Sequence, residues 1–136
     1  MSTSTALRCA LGGLLLGLLL AGLPALSHSA PAVSAVPAEW WTTETARGER
    51  QLHLYFFWTR TCPHCRAARP FVEALPADYP WLRLHSHDIT QDMAGALQYT
   101  RMAEALGESA RSVPAFLFCG RMLTGFDSAE TTGHYL

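Results

Sequence analysis

Residues 51–65 read QLHLYFFWTRTCPHC, an apolar run followed by a pair of cysteines. The second half of Gln51–Trp58 is apolar on both faces of an extended segment, which predicts a central strand covered by helices on both sides. Thr59–Thr61 turn the chain, and a helix interrupted by Pro70 is predicted from Cys62 to about Leu75. The cysteine pair therefore lies where a strand passes into a helix.

The pair has the position expected of a redox-active site. A thiolate attacks disulfides, and a helix N-terminus stabilises it with unpaired N–H donors and the positive end of the helix dipole. Pro63 suits the first helical turn, and a protonated His64 would lower the pKa of Cys62 further. We expect Cys62 to be the exposed attacking sulfur and Cys65 to be the shielded resolving sulfur, one turn below it.

Outward from this site, predicted strands and helices alternate. They are a strand at Trp81–His87, a helix at Asp92–Leu106 stopped by Gly107, strands at Ala115–Cys119 and Met122–Phe126 joined by a turn at Gly120-Arg121, and a helix starting at Asp127–Glu130. The order predicts a small α/β sandwich whose final helix is cut short at Leu136.

Several single residues have a predicted role in packing or solvation. Cys119 is expected to be buried in its strand, and His53 to be solvated at a strand edge. Met93 and Met102 have helical spacing and are expected in the core. Trp58 is expected to shield the cysteine pair.

Together these residues resemble the thioredoxin-fold family. Tyr55–Trp58 with Cys62–Cys65 is similar to its active-site strand and first helix, and Ser112–Pro114 is similar to its cis-proline loop. For residues 51–136 the resemblance implies a central mixed β-sheet flanked by helices and a Cys62–Cys65 redox pair without a dissociable cofactor. It also implies tuning by Pro63 and His64, and substrate contacts at Val113, Pro114 and Trp58.

The direction of the implied disulfide exchange stays open. Pro-His between the cysteines resembles the periplasmic disulfide-oxidase branch. However, the large helical insertion of that branch does not fit between Cys65 and Pro114. The buried acid of many thioredoxins would fall at Phe56, which cannot take a proton. The expected partners are protein thiols or disulfides, with a membrane redox partner as a further expectation.

Residues 1–30 are predicted to be a signal peptide, because an apolar run from Cys9 to about Leu23 follows Arg8. Cleavage fits after Ser27 or after Ala35, and the alternative is an uncleaved anchor. Residues 31–50 are expected to be a linker and a short N-terminal segment with a helical turn at Trp40-Trp41. We therefore expect the protein to be exported to the periplasm or another extracytoplasmic space.

Composition excludes one class of partner. From Glu39 onward nine Arg oppose eleven acidic residues, a net charge of about −2, whereas nucleic-acid binding needs a basic surface. Two alternatives to an enzyme remain at this point. One is a metal-binding chaperone that uses the two cysteines with His85 and His87, and the other is a non-catalytic docking head of a membrane electron-transfer protein.

Overall fold

The computed structural model describes residues 36–136. The predicted signal peptide and both of its cleavage positions lie outside this range. Within residues 36–136, no helix combines the length and apolarity needed to cross a bilayer.

A five-stranded mixed sheet is built around its second strand. These strands are β1 (Thr42–Glu44), β2 (Arg50–Trp58), β3 (Leu82–Asp88), β4 (Ala115–Phe118) and β5 (Arg121–Thr124). β2 pairs in parallel with β3, whereas β1 and β4 pair with it antiparallel, and β5 completes a hairpin with β4. β2 is thus the central strand, and its side chains are buried from His53 to Trp58.

Two helices cover the two faces of this sheet: α1 (Pro63–Asp78) and α2 (Met93–Ala105). Successive strand residues point to opposite faces. Leu54, Phe56 and Trp58 accordingly pack with Cys65, Ala68 and Val72 of α1. Tyr55 and Phe57 pack with Tyr99, Met102 and Ala103 of α2. This topology confirms the thioredoxin-like α/β sandwich predicted from the sequence.

α1 does not stop at the expected position. It continues through Pro70 and past Leu75 to Asp78. Proline removes one backbone hydrogen bond from a helix. The helix persists because Val72 and Leu75, beyond the proline, are buried against the sheet.

Two expectations about α2 had different outcomes. Met102 is buried as predicted, but Met93 is 75% exposed, so its assignment to the core was wrong. Met93 is the first residue of the helix and lies beyond the sheet-facing surface. Gly107, with a φ of +73°, lies just after the helix as predicted.

The chain termini of the described region also differ from expectation. The predicted final helix is a single 3₁₀ turn at Thr132–Tyr135, because Asp127, Ser128 and Thr131 form a hydrogen-bonded turn where the helix was expected to start. At the other end, a 3₁₀ turn at Ala38–Trp40 leads into β1. The region expected to be a linker and a short N-terminal segment therefore contributes strand β1 to the sheet.

His53 and Cys119 have the opposite environments to those predicted. His53 is only 7% exposed, because β1 covers it. Its ring bonds to Thr43 Oγ1 at 2.8 Å and to His85 Nε2 at 3.1 Å. Cys119 is exposed, because β4 ends at Phe118 and the two-residue turn is Cys119-Gly120 rather than Gly120-Arg121.

Candidate active site

Cys62 is the N-terminal cap of α1 and is half-buried. Its sulfur accepts a hydrogen bond from the backbone N–H of Cys65 at 3.3 Å. As a thiol it also donates to the carbonyl oxygen of Val113 at 3.5 Å. A thiolate can keep the first of these contacts but not the second, since it has no proton to donate.

The surroundings of Cys62 favour its ionised form. Burial by itself would raise the pKa of this thiol. Hydrogen bonds from the Cys65 side chain and from the backbone N–H groups of Cys65 and His64, with the positive charge of Arg66, outweigh burial and hold the pKa below its ordinary value. The attacking role that the sequence predicts for Cys62 fits this environment.

Cys65 has the opposite character. It is fully buried against the α1 side of the sheet. Burial, followed by the hydrogen bond to Cys62, raises its pKa to about 12. The two sulfurs of one short motif therefore differ sharply in proton affinity and access, and only Cys62 is suited to attack from solvent.

His64 and Pro63 lie in the first turn of α1, as expected from the sequence. The His64 ring contacts the carbonyl oxygen of Phe126 through Nδ1 at 3.0 Å. Since a carbonyl only accepts, Nδ1 carries the hydrogen of this contact. His64 thus contributes a backbone donor to Cys62, while its ring ties α1 to the loop after β5.

The loop Ser112–Pro114 lies beside the cysteine pair, with a cis peptide bond between Val113 and Pro114. Val113 is half-buried and Pro114 is buried. An open groove of about 320 Å³ is lined by His64, Thr124, Gly125, Phe126, Asp127 and Thr132. Through His64 the groove borders the first turn of α1, in which Cys62 is the N-terminal cap.

Trp58 lies behind the cysteines rather than at the surface. It is 8% exposed and packs in the same cluster as Cys65. Its indole N–H donates to Ser86 Oγ at 2.9 Å, and the Arg69 guanidinium lies 4.1 Å above its ring. Its burial leaves little of Trp58 for the direct substrate contact expected from the sequence, and its role in shielding the pair stays a prediction.

The side chains expected to bind metal in a chaperone do not meet in the structure; they are those of Cys62, Cys65, His85 and His87. Cys65 packs in the α1 layer, whereas His85 stacks on Tyr55 in the α2 layer, on the opposite face of the sheet. Among residues 36–136, no group of three or more His, Cys, Asp or Glu side chains is placed to hold a metal ion.

Three residues of the site were missed at the sequence level: Arg66, Phe126 and Tyr99. Arg66 is four residues after Cys62, so helical spacing carried a signal for it. Tyr99 donates to the carbonyl oxygen of Ser112, thirteen residues later, at 2.7 Å. Neither this contact nor the contact of Phe126 with His64 is visible before the chain folds.

Comparisons with known proteins give likenesses among solved structures but none in sequence. No family model matches the chain, and no curated protein matches its sequence. Among solved structures, the X-ray structure of Fasciola hepatica thioredoxin is similar with 21% sequence identity and a TM-score of 0.45, covering 62% of this chain and 77% of that chain. The strand order and register of the five-stranded sheet define the fold.

Proposed function

We propose that this protein is an exported thiol–disulfide oxidoreductase that exchanges disulfides with other polypeptides through Cys62 and Cys65. The observation that carries the proposal is the asymmetry of the pair. Cys62 is accessible and its pKa is lowered, whereas Cys65 is buried and its pKa is about 12. An accessible sulfur with a lowered pKa is suited to attack, and a buried thiol stays protonated until the mixed disulfide has formed.

In the reducing direction, the Cys62 thiolate attacks one sulfur of a substrate disulfide and forms a mixed disulfide. The substrate's other sulfur leaves as a thiolate and takes up a proton. Cys65 then loses its proton and attacks the Cys62 sulfur, which releases the second substrate thiol and leaves a Cys62–Cys65 disulfide. Two electrons pass to the substrate, and the reverse sequence oxidises a substrate dithiol.

Three Cys-to-Ser variants test this assignment with a disulfide-bonded peptide as substrate. Cys62→Ser should abolish exchange, and Cys65→Ser should stop at a mixed disulfide visible on a non-reducing gel. Cys119→Ser is the matched control, because Cys119 is a free, exposed thiol in the turn between β4 and β5. Loss of exchange in Cys119→Ser, or a trapped complex in Cys62→Ser, would contradict the assigned roles.

The reduction potential of the pair decides the direction. It is measured by equilibrating the protein in glutathione buffers and counting alkylated thiols by mass. A reduction potential of about −120 mV is typical of a strong oxidant that delivers disulfides. A potential of about −270 mV is typical of a thioredoxin-like reductant.

Export is proposed from residues 1–30 of the sequence. The mass of the mature chain recovered after secretion tests it. Removal of the first 27 or 35 residues supports a cleaved signal, and an intact membrane-bound chain supports the anchor.

A further inference from the structure

Tyr99 links α2 to the loop beside the cysteines. Its side chain is 2% exposed, and its ring stacks on Phe57 of β2 with a centroid distance of 4.7 Å. The hydroxyl donates to the carbonyl oxygen of Ser112 at 2.7 Å, a favourable distance for an O–H···O bond. Because the ring is fixed by the core, the hydroxyl holds the Ser112 carbonyl in a fixed place.

The loop Ser112–Pro114 is held at both ends. Tyr99 holds Ser112, and the backbone N–H of Gly125 donates to the carbonyl oxygen of Pro114 at 2.8 Å. Between these two points, the carbonyl oxygen of Val113 accepts from the Cys62 thiol at 3.5 Å. A shift of Ser112 would therefore change the position of Val113 relative to the sulfur.

We propose that Tyr99 is a positioning residue for disulfide exchange: its hydroxyl holds the loop so that Val113 faces both the Cys62 sulfur and an incoming polypeptide. This inference rests on the proposed function. Its chemical consequence is twofold. A held Val113 carbonyl favours the protonated thiol of Cys62, and a held loop backbone favours a peptide partner over a small disulfide that needs no such surface.

Tyr99→Phe tests the proposal, because it removes the hydroxyl and retains the stacked ring. We expect kcat/KM for a disulfide-bonded peptide to fall about five- to tenfold, the size of one lost hydrogen bond. For a small aromatic disulfide it should change less than twofold. The midpoint of Cys62 alkylation against pH should move to lower pH. Tyr55→Phe is the control, since Tyr55 belongs to the same buried cluster as Tyr99. Burial alone accounts for the raised pKa of Tyr55, with no contribution from a hydrogen bond to its hydroxyl.

Equal losses for the peptide and the small disulfide, or an unchanged alkylation midpoint, would overturn the positioning role. The same effects in Tyr55→Phe would overturn it as well. Deuterium exchange at residues 112–114 gives a second readout and should increase in Tyr99→Phe alone. The alkylation and exchange measurements need no turnover, so they test Tyr99 even if the wild-type protein exchanges no disulfide, a result that would refute the proposed function instead.

Discussion

Arg66 is a residue whose positive charge acts on the Cys62 sulfur. It lies four residues after Cys62 on α1, and its positive charge helps to hold the pKa of that thiol down. Arg66→Gln should therefore raise the pKa of Cys62 and slow its alkylation at pH 7 about twofold, since exposed charge pairs contribute only about 0.2–1 kcal/mol.

Alkylation rates measured across a pH range check this expectation. Arg121→Gln is the matched control, because it removes the same charge at the exposed start of β5. A reduced rate in both variants would mean that net charge, and not the position of Arg66, governs the thiol.

The position of the cysteine pair at the start of α1 was predictable from the apolar strand before it. The environments of His53 and Cys119 were not. A side chain changes face with every residue of a strand, so a turn displaced by one position reverses the assignment. Cys119 is such a case, since the turn begins at Cys119 and not at Gly120. His53 depended on β1, whose three residues Thr42–Glu44 are too few to show an alternating pattern.

The hairpin of β4 and β5 carries strain at one position. Its two turn residues, Cys119 and Gly120, both have positive φ, +47° and +72°. Two-residue hairpin turns of this kind favour Asn-Gly, because the short polar side chain of Asn hydrogen-bonds locally, whereas other L-residues adopt this conformation at a cost of about 1–2 kcal/mol. Cys119→Asn should therefore raise the free energy of unfolding by up to about 1 kcal/mol.

Urea unfolding of the two variants Cys119→Asn and Cys119→Val measures this effect. Valine is branched at Cβ and should destabilise the turn, while both variants remove the same exposed thiol. Equal stabilities for the two would show that the turn conformation does not limit the hairpin.

At the scale of elements, α1 and β2 were predicted well because long apolar patterns and the cysteine motif agree. The final helix was predicted wrongly, because side-chain hydrogen bonds among Asp127, Ser128 and Thr131 compete with helix formation. Thr131 Oγ1 donates to Asp127 Oδ2 at 3.0 Å and bonds to Ser128 Oγ at 3.2 Å. Ser, Thr and Asp side chains offer the backbone such alternatives, and a propensity argument does not rank them.

Across the described sheet, His53 and His85 link three strands through Thr43 of β1. Burial, with the charge of Arg83, lowers the pKa of His53. Burial, with the charges of His53, Arg83 and His87, lowers the pKa of His85 to about 4. Both imidazoles are therefore neutral in the folded protein at pH 7, and the unfolded chain binds protons more readily than the folded one below pH 6.5.

Stability should consequently be greatest above the ordinary histidine value of 6.5 and should decrease as pH falls toward 4. Thermal midpoints between pH 4 and pH 8 measure this decrease. His85→Gln should flatten it, because glutamine does not titrate. His134→Gln, at an exposed histidine, should retain the wild-type slope. Identical slopes in the two variants would show that the decrease arises elsewhere.

The contact between Cys62 and Val113 makes the loop sensitive to the chemical state of the sulfur. The Val113 carbonyl accepts from the Cys62 S–H at 3.5 Å. After Cys62 has formed a disulfide there is no such proton, and the carbonyl is available to a backbone N–H of a polypeptide. The oxidised protein would then bind peptide more tightly than the reduced protein. In the oxidising direction the reduced protein is the product, so completion of the exchange would favour release of the peptide, whereas in the reducing direction it would favour retention.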